Sequence, residues 1–478
     1  MRARGVSRFD RNETLNPCSK QQGIRELAFV HATVALRRVG VGFRTKQDAP
    51  KAAEGGGSRA IRLYAGKQPM QRNPRAGEES NRRNNRMIRP KIKSAAIAVL
   101  CASVLLPANS HAAGDRRAVV ERVVAQAIRP VMARYGVPGM AVGIVTNGQN
   151  YVYDYGVASK ATRRPVSSNT LFEVGSISKT FTATLASYAQ VSGKLSLSDF
   201  ATRYLPSLRG SSFERVSLVN LGTHTSGGLP LQVPGGIANN NQLMAYFQHW
   251  NPAYTPGTYR TYSNPGIGML GMIAARSMNE DFVTLMQRKL LPKLGMQHTF
   301  LDIPNAQMEN YAQGYTTNDT PVRMTPGVLA SEAYGIRTTA GDLLRFVEAN
   351  MGMLDLDETF KRAISDTHTG YYRVGAMTQD LVWEQYHYPV GLAELLAGNS
   401  AKVILETNPV TKLDPPLRPR DDVLINKTGT TNGFAAYVAF VSEKRTGIVL
   451  LANKSYPIDA RVTAAYEILT RLDDASKK

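Results

Sequence analysis

Apolar residues recur every three to four positions through DRRAVVERVVAQAIRPVMARYG, which starts at Asp115. That spacing predicts a helix closed by Gly136. The period then changes, because MAVGIVTNGQNYVYDYGVAS holds two β-rich runs around Asn147-Gly148, the composition of a tight hairpin. After FEVGSISKTF, residues 172–181, the run TFTATLASYAQVSGKLSL returns to helical spacing and ends near Gly193. From about 200 to 415, helical patches such as NNNQLMAYFQHW, FVTLMQRKLLPKLG and GDLLRFVEANMGML alternate with long loops rich in proline and glycine. Strand patterns resume in DVLINKTG, GFAAYVAFVSEK and TGIVLLANK, with SEKRTG as the turn between the last two. PIDARVTAAYEILTRL closes the pattern as an amphipathic helix that starts at a proline.

Helix and hairpin at one end, strands and helix at the other, predict an α/β (α+β) fold in which both ends build one antiparallel sheet flanked by helices. We expect a sheet subdomain from about 113–190 and 416–478, and a mainly helical insertion from about 191–415. No internal repeat is visible after residue 113.

The chain of 478 residues is 43% hydrophobic, enough for a large core. A net charge of +21 points to nucleic acid or an anionic membrane, but its distribution removes that reading. Residues 1–86 carry 19 Lys and Arg against 7 Asp and Glu, residues 87–112 add three cations, and only +6 is left for residues 113–478. From Met87, MIRPKIKSAAIAVLCASVLLPANSHAAGD has a basic start, an apolar run from about Ala95 to Leu106 and a small-residue site at Ser110-His111-Ala112, the pattern of a secretory signal peptide. Such a signal does not work behind 86 polar residues, so Met87 is the expected start and residues 1–86 an upstream extension, either non-native or disordered. Cleavage near Ala112/Ala113 would deliver residues 113–478 to the periplasm. No later run approaches about 20 apolar residues, so no stable membrane insertion is expected after cleavage. Cys18 and Cys101 both precede the mature chain, which leaves it without disulfide or thiol chemistry. Its histidines, His224, His249, His298, His368 and His387, show no close ligand spacing, so a zinc hydrolase is set aside and no metal or cofactor is expected.

FEVGSISKTF places Ser176 three residues ahead of Lys179 at a helix start. Alone this is a weak motif, since a serine there also serves as an ordinary helix cap. Two further stretches change its weight. TYSNPGIGML puts Tyr262, Ser263 and Asn264 in a turn ahead of a helix, and NKTGTTNGF puts Lys427, Thr428 and Gly429 at a strand end. A serine hydroxyl needs a neighbour to take its proton, and positions i and i+3 of a helix share a face, so Lys179 lies beside Ser176. Burial and a second cation such as Lys427 lower the pKa of a lysine, and the same cations favour a Tyr262 phenolate, so both are candidate bases. The backbone amides of Ser176 and Thr430 are the natural donors to a developing oxyanion.

In this order the three stretches are the elements of serine penicillin-recognising enzymes. Residues 113–478 resemble the class C (AmpC-type) serine β-lactamases, cephalosporinases, with Tyr-Ser-Asn in place of the Ser-Asp-Asn of class A. The resemblance implies Ser176 as acylated nucleophile, Lys179 and Tyr262 as proton carriers and Lys427 as electrostatic partner. It also implies that Asn264 and Gln232, in GGLPLQVP, meet the substrate's side-chain amide, and that Tyr334, in SEAYGIRTT, lines the site wall. Arg461, in NKSYPIDARV, is implied to lie near the substrate carboxylate, with Thr428, Gly429 and Thr430 along the substrate-binding strand. Two positions depart from the family: Ile458 stands where many members have asparagine, and Ala435 where glycine is common. The implied activity is hydrolysis of cephalosporins and penicillins by a monomer without cofactor or nucleic-acid partner. A D-Ala-D-Ala carboxypeptidase, an esterase or a penicillin-binding receptor on the same scaffold is the rival reading, because acylation needs the same residues.

Overall fold

The structure, a computed structural model, describes residues 108–476, with side chains from 116 to 475. The expected signal peptide up to residue 107, the upstream extension and both cysteines lie outside the described residues. The expected cleavage site falls in the described backbone, inside the first helix.

Nine strands form one antiparallel sheet: β1 (Gly139–Thr146), β2 (Gln149–Gly156), β3 (Gly370–Val374), β4 (Met377–Gln379), β5 (Glu384–His387), β6 (Thr411–Leu417), β7 (Val423–Thr430), β8 (Ala435–Val441) and β9 (Thr446–Ala452). Their spatial order is β6-β3-β4-β5-β7-β8-β9-β1-β2, so the two ends of the chain meet where β9 pairs with β1. β1 and β2 turn through Asn147 and Gly148, both at positive φ, as a two-residue hairpin whose twist matches the strands requires. All eight residues of β1 are buried, which follows from helices on both sheet faces and explains why its sequence is a continuous apolar run. On one face α1 (Ala108–Tyr135) packs beside α5 (Ile458–Ser476), and the other face is covered by α4 (Ala340–Asn350). Between them in sequence, α2 (Ser178–Val191) and α3 (Asn264–Ser277) pack together in the helical part of the molecule.

A column of aromatic rings ties α2 to the sheet. Phe181 of α2 stacks on Phe346 of α4 at 3.8 Å between ring centres, Phe346 stacks on Trp383 at 6.1 Å, and Trp383 meets Phe440 of β8 edge-on at 5.5 Å. All four rings are fully buried. Burying one such ring stabilises by about 2–3 kcal/mol, so the start of α2 is held over the sheet by the core itself.

The sheet takes more of the chain than its pattern suggests. β3, β4, β5 and β6 fall inside the segment read as mainly helical. Strands of three to five residues, as in β3, β4 and β5, are too short for an alternation to register, and Pro415 and Pro416 argue against a strand in β6. β6 tolerates them because it is the outermost strand. The first helix likewise begins at Ala108, seven residues before the apolar period becomes visible.

Candidate active site

Ser176 lies in a one-turn 3-10 helix, Gly175–Ile177, that leads into α2. Two glycines fix its neighbourhood. A Cβ on Gly175, at φ +51°, would meet the Thr430 backbone nitrogen and oxygen at 2.6 Å, and one on Gly429 would lie 1.9 Å from Val174 O. The turn bearing Ser176 and the end of β7 therefore touch backbone to backbone, an approach open only to glycine. This contact brings the neighbourhoods of the Ser176 and Thr430 amides together.

Lys179 is fully buried and donates from Nζ to Ser176 Oγ at 3.0 Å and to Ala333 O at 2.9 Å. No carboxylate accompanies these two acceptors. Burial, reinforced by the Lys427 charge and opposed by Tyr262, lowers the Lys179 pKa to about 8. The turn that supplies Ala333 O is itself tied to α2, since Thr182 Oγ1 donates to Glu332 O and Ile336 N to Ser178 Oγ.

Tyr262 precedes Ser263, which caps α3 by accepting from Gly266 N at 3.0 Å. Lys179 Nζ and Lys427 Nζ each lie 5.2 Å from the Tyr262 ring centre, and the Arg260 guanidinium carbon lies 5.4 Å away. Burial alone raises the pKa of this phenol. Lys179, Lys427 and the nearby Ser176 hydroxyl outweigh it and bring Tyr262 down to about 8. Among the described residues its hydroxyl makes no hydrogen bond of good geometry, and the nearby Lys179, Lys427 and Ser176 side chains favour the phenolate by proximity.

Lys427, from the middle of β7, is equally buried but has a different partner. Its Nζ lies 3.5 Å from Glu384 Oε1 of β5. Burial lowers its proton affinity, yet Glu384 and then Tyr262 outweigh burial, and the net shift is upward. Glu384 also accepts from Arg260 Nη2 at 3.2 Å, and Arg260 is held by Gln379 Oε1 at 2.7 Å and Val403 O at 2.6 Å. The His224 ring lies against Tyr262, with ring centres 4.2 Å apart and the planes tilted by 32°. His224 Nδ1 accepts from Ser263 N at 3.2 Å, so the proton of the neutral ring sits on Nε2. Burial first, then Arg260, Lys179 and Lys427, hold its pKa well below the usual range. Glu384 and Arg260 were not singled out from the sequence, His224 was named there only among the histidines without ligand spacing, and no local pattern marks the three.

The remaining sequence candidates border this cluster. Asn264 is buried and donates from Nδ2 to Gln232 Oε1 at 2.8 Å, while its own Oδ1 has no partner among the described residues. Gln232 is exposed, and Tyr334 is half-buried directly after Ala333. Thr428 and Gly429 are buried in β7 and Thr430 is half-buried at its end. Ala435 pairs with Thr430 across the strand edge, and Ile458 opens α5. Arg461 reaches the cluster from behind β7. Its Nη1 donates to Gly429 O at 2.7 Å, Thr430 Oγ1 at 3.1 Å and Ala436 O at 3.3 Å, and Nη2 to Tyr456 O. Burial lowers its pKa to about 10. Its hydrogen bonds go to backbone and to the Thr430 hydroxyl. Among the described residues no group of three or more His, Cys, Asp or Glu is placed to hold a metal ion.

An antiparallel sheet covered by helices, with a serine–lysine pair beside a strand that carries a second lysine at its middle rather than at its end, is the fold shared by serine β-lactamases and penicillin-binding proteins. The chain belongs to the β-lactamase family, whose model matches residues 124–472. It is 54% identical over 353 residues to a β-lactamase of Lysobacter lactamgenus, covering 74% of this chain and 92% of that one. A solved class C β-lactamase in complex with cefoxitin superposes with a TM-score of 0.73 at 53% identity, covering 74% of this chain and 99% of its own. A structure described as the D-alanine carboxypeptidase AmpC of Burkholderia cenocepacia gives a TM-score of 0.71 at 54% identity, with coverage of 74% and 99%. Among the described residues no helix is long and apolar enough to cross a membrane.

Proposed function

We propose that this protein is a class C serine β-lactamase that opens the β-lactam amide through an acyl intermediate on Ser176. The observation that carries the reading is the 3.0 Å contact between Lys179 Nζ and Ser176 Oγ, made by a buried lysine whose pKa is lowered to about 8. Ser176 Oγ attacks the lactam carbonyl carbon, and its proton passes to the Lys179–Tyr262 pair. The two groups share one buried environment and titrate together, so either accepts the proton from the same total charge state. The Ser176 and Thr430 amides donate to the oxyanion, a contribution of about 3–4 kcal/mol per donor. The ring nitrogen leaves with the proton held by the pair. Water then attacks the ester, gives up a proton to the same pair, and releases the ring-opened acid with Ser176 restored.

Around this centre, Asn264 and Gln232 receive the side-chain amide of the substrate and Tyr334 forms the wall. Lys427 and Thr430 meet its carboxylate, and Arg461 acts on it through the Thr430 hydroxyl it holds. Cephalosporins are the preferred substrates, with penicillins also hydrolysed, and the activity confers β-lactam resistance. The enzyme works as a monomer in the periplasm, with the charge and apolar pattern of residues 87–112 as the support for export. Protein from the periplasm should have a mass that starts near Ala113. The sheet part, about 113–190 and 416–478 together with the strands β3 to β6 from the intervening segment, and the helices of that segment form the one catalytic unit.

The second reading is a D-Ala-D-Ala carboxypeptidase, favoured by the name of the Burkholderia cenocepacia relative. Deacylation separates the two. Steady turnover of a chromogenic cephalosporin supports the lactamase, and a stoichiometric burst that stops, with D-alanine released from a D-Ala-D-Ala peptide, supports the alternative. Ser176→Ala should abolish turnover while the circular dichroism spectrum is unchanged. Retained turnover in that variant would remove Ser176 from the mechanism.

A further inference from the structure

A cavity of about 240 Å³ is lined in part by the turn whose Ala333 O accepts from Lys179. Leu301, Ile303, Met308 and Met324 give it an apolar wall, and the floor carries the one buried cation of its lining, Arg337. Arg337 is 91% buried, being 9% exposed. Its Nη1 donates to Leu301 O and to Gly335 O at 2.9 Å, but its Nε has no partner among the described residues. Glu173, directly opposite in the strand register, is a buried carboxylate whose Oε2 has no hydrogen-bond partner among the described residues. Glu173 Oε1 accepts from the Tyr311 hydroxyl and from Met324 N, and no ion pair joins Glu173 to Arg337. The centre of the Tyr311 ring in the lining lies 5.8 Å from the Arg337 guanidinium carbon and 4.2 Å from that of Arg323, which is outside the lining. Asp302 is the acid in the lining, and it is exposed at the mouth.

We infer that this cavity is a binding site for a small amphiphilic monocarboxylate, whose apolar body lies against Met308 and Met324 and whose carboxylate meets Arg337. A guanidinium lining a mainly apolar recess attracts an anion there more strongly than a surface cation does, because little water screens the pair. The volume suits a chain or ring of roughly ten heavy atoms at liquid-like packing. The cavity is also coupled to the catalytic centre by construction. Ala330, Ser331 and Gly335 line it, and the same short turn presents Ala333 O to Lys179 and Glu332 O to Thr182. The turn starts from Leu329 at φ +62°, a conformation disfavoured for a non-glycine residue. A ligand that displaces the turn lengthens the Lys179–Ala333 contact and slows acylation. The coupling rests on the acyl-serine reading, whereas occupancy of the cavity does not.

The probe is sodium octanoate, with octanamide as its uncharged control. Calorimetry should show saturable one-to-one binding of octanoate, with octanamide weaker by about tenfold or more. Met308→Trp fills the cavity from a side chain that is 40% exposed, and should abolish octanoate binding while leaving turnover without octanoate unchanged. Arg337→Met should equalise octanoate and octanamide if it folds, and Met308→Trp keeps the test decisive if it does not. At saturation, octanoate should lower kcat/KM for a chromogenic cephalosporin by about fivefold or more in the wild type only. Absence of saturable binding, or binding unchanged in Met308→Trp, overturns the site. Inhibition that competes with substrate and persists in Met308→Trp places octanoate in the catalytic cleft and also overturns it. Binding with no rate change overturns the coupling.

Discussion

Lys179 and Lys427 face the same Tyr262 ring at the same 5.2 Å and are equally buried, yet their proton affinities move in opposite directions. Lys179 stands at a helix start among a hydroxyl, a carbonyl and a phenol, with no carboxylate in contact, so burial prevails and its pKa falls to about 8. Lys427 stands mid-strand with Glu384 at 3.5 Å, and the attraction outweighs the same burial. The role of a buried lysine is thus decided by whether a carboxylate shares its burial. On the proposed mechanism one lysine is a proton carrier and the other a permanent charge.

The largest effect should come from removing the carrier. Lys179→Ala should lower kcat/KM for a chromogenic cephalosporin by about 10³-fold, the scale of a lost general base, with folding retained. Single-turnover measurements should place the loss in acylation. A loss below tenfold would mean that the pair does not depend on Lys179, and the contrast between the two lysines would lose its mechanistic meaning.

The contrast was half legible in the sequence. Ser176 and Lys179 share a helix face by spacing alone, Tyr262 adjoins an N-cap that announces its helix, and Lys427 sits in an apolar strand pattern, so each is marked by local rules. Glu384 and Arg260, which make Lys427 different from Lys179, are 124 positions apart. Glu384 belongs to a four-residue strand whose pattern is too brief to register, and nothing near Arg260 foretells a buried ion pair. His224 is similarly defined by Ser263, 39 residues away. Arg461 was legible as a neighbour of the site, but the direction of its guanidinium toward Gly429 O and Ala436 O depends on how α5 crosses the sheet. Helix starts and strand ends are local facts, whereas the partner of a buried charge is a tertiary one.

The two halves of the site meet at Gly175, which offers a second way to break the comparison. Gly175→Ala adds a Cβ 2.6 Å from Thr430 N and O at a φ of +51°. The strain and the forced separation should cost about 2–4 kcal/mol in unfolding free energy. Because both proposed oxyanion donors, the Ser176 and Thr430 amides, lie at this junction, kcat should fall by about 10²-fold, with KM changed less. Denaturant unfolding and steady-state kinetics read the two effects separately. Lost stability with unchanged kcat would show that the oxyanion donors do not depend on this contact.

The smallest expected change tests the electrostatic cause of the contrast, through the isosteric Glu384→Gln. On the proposed mechanism the active form of the wild type has lost one proton from the Lys179–Tyr262 pair, so kcat/KM should rise with pH through about 8. Glu384 favours the protonated forms of both Tyr262 and Lys427, since its negative charge raises both pKa values. Removing it lowers the Tyr262 pKa, and the rising limb should move to lower pH by about one unit. Lys427 then gives up its proton more readily, and the decline at alkaline pH should begin earlier. The bell shifts acidward on both sides, and Lys427 comes to behave like Lys179. A limb that moves to higher pH would contradict the assignment of the carboxylate as the group that distinguishes the two lysines.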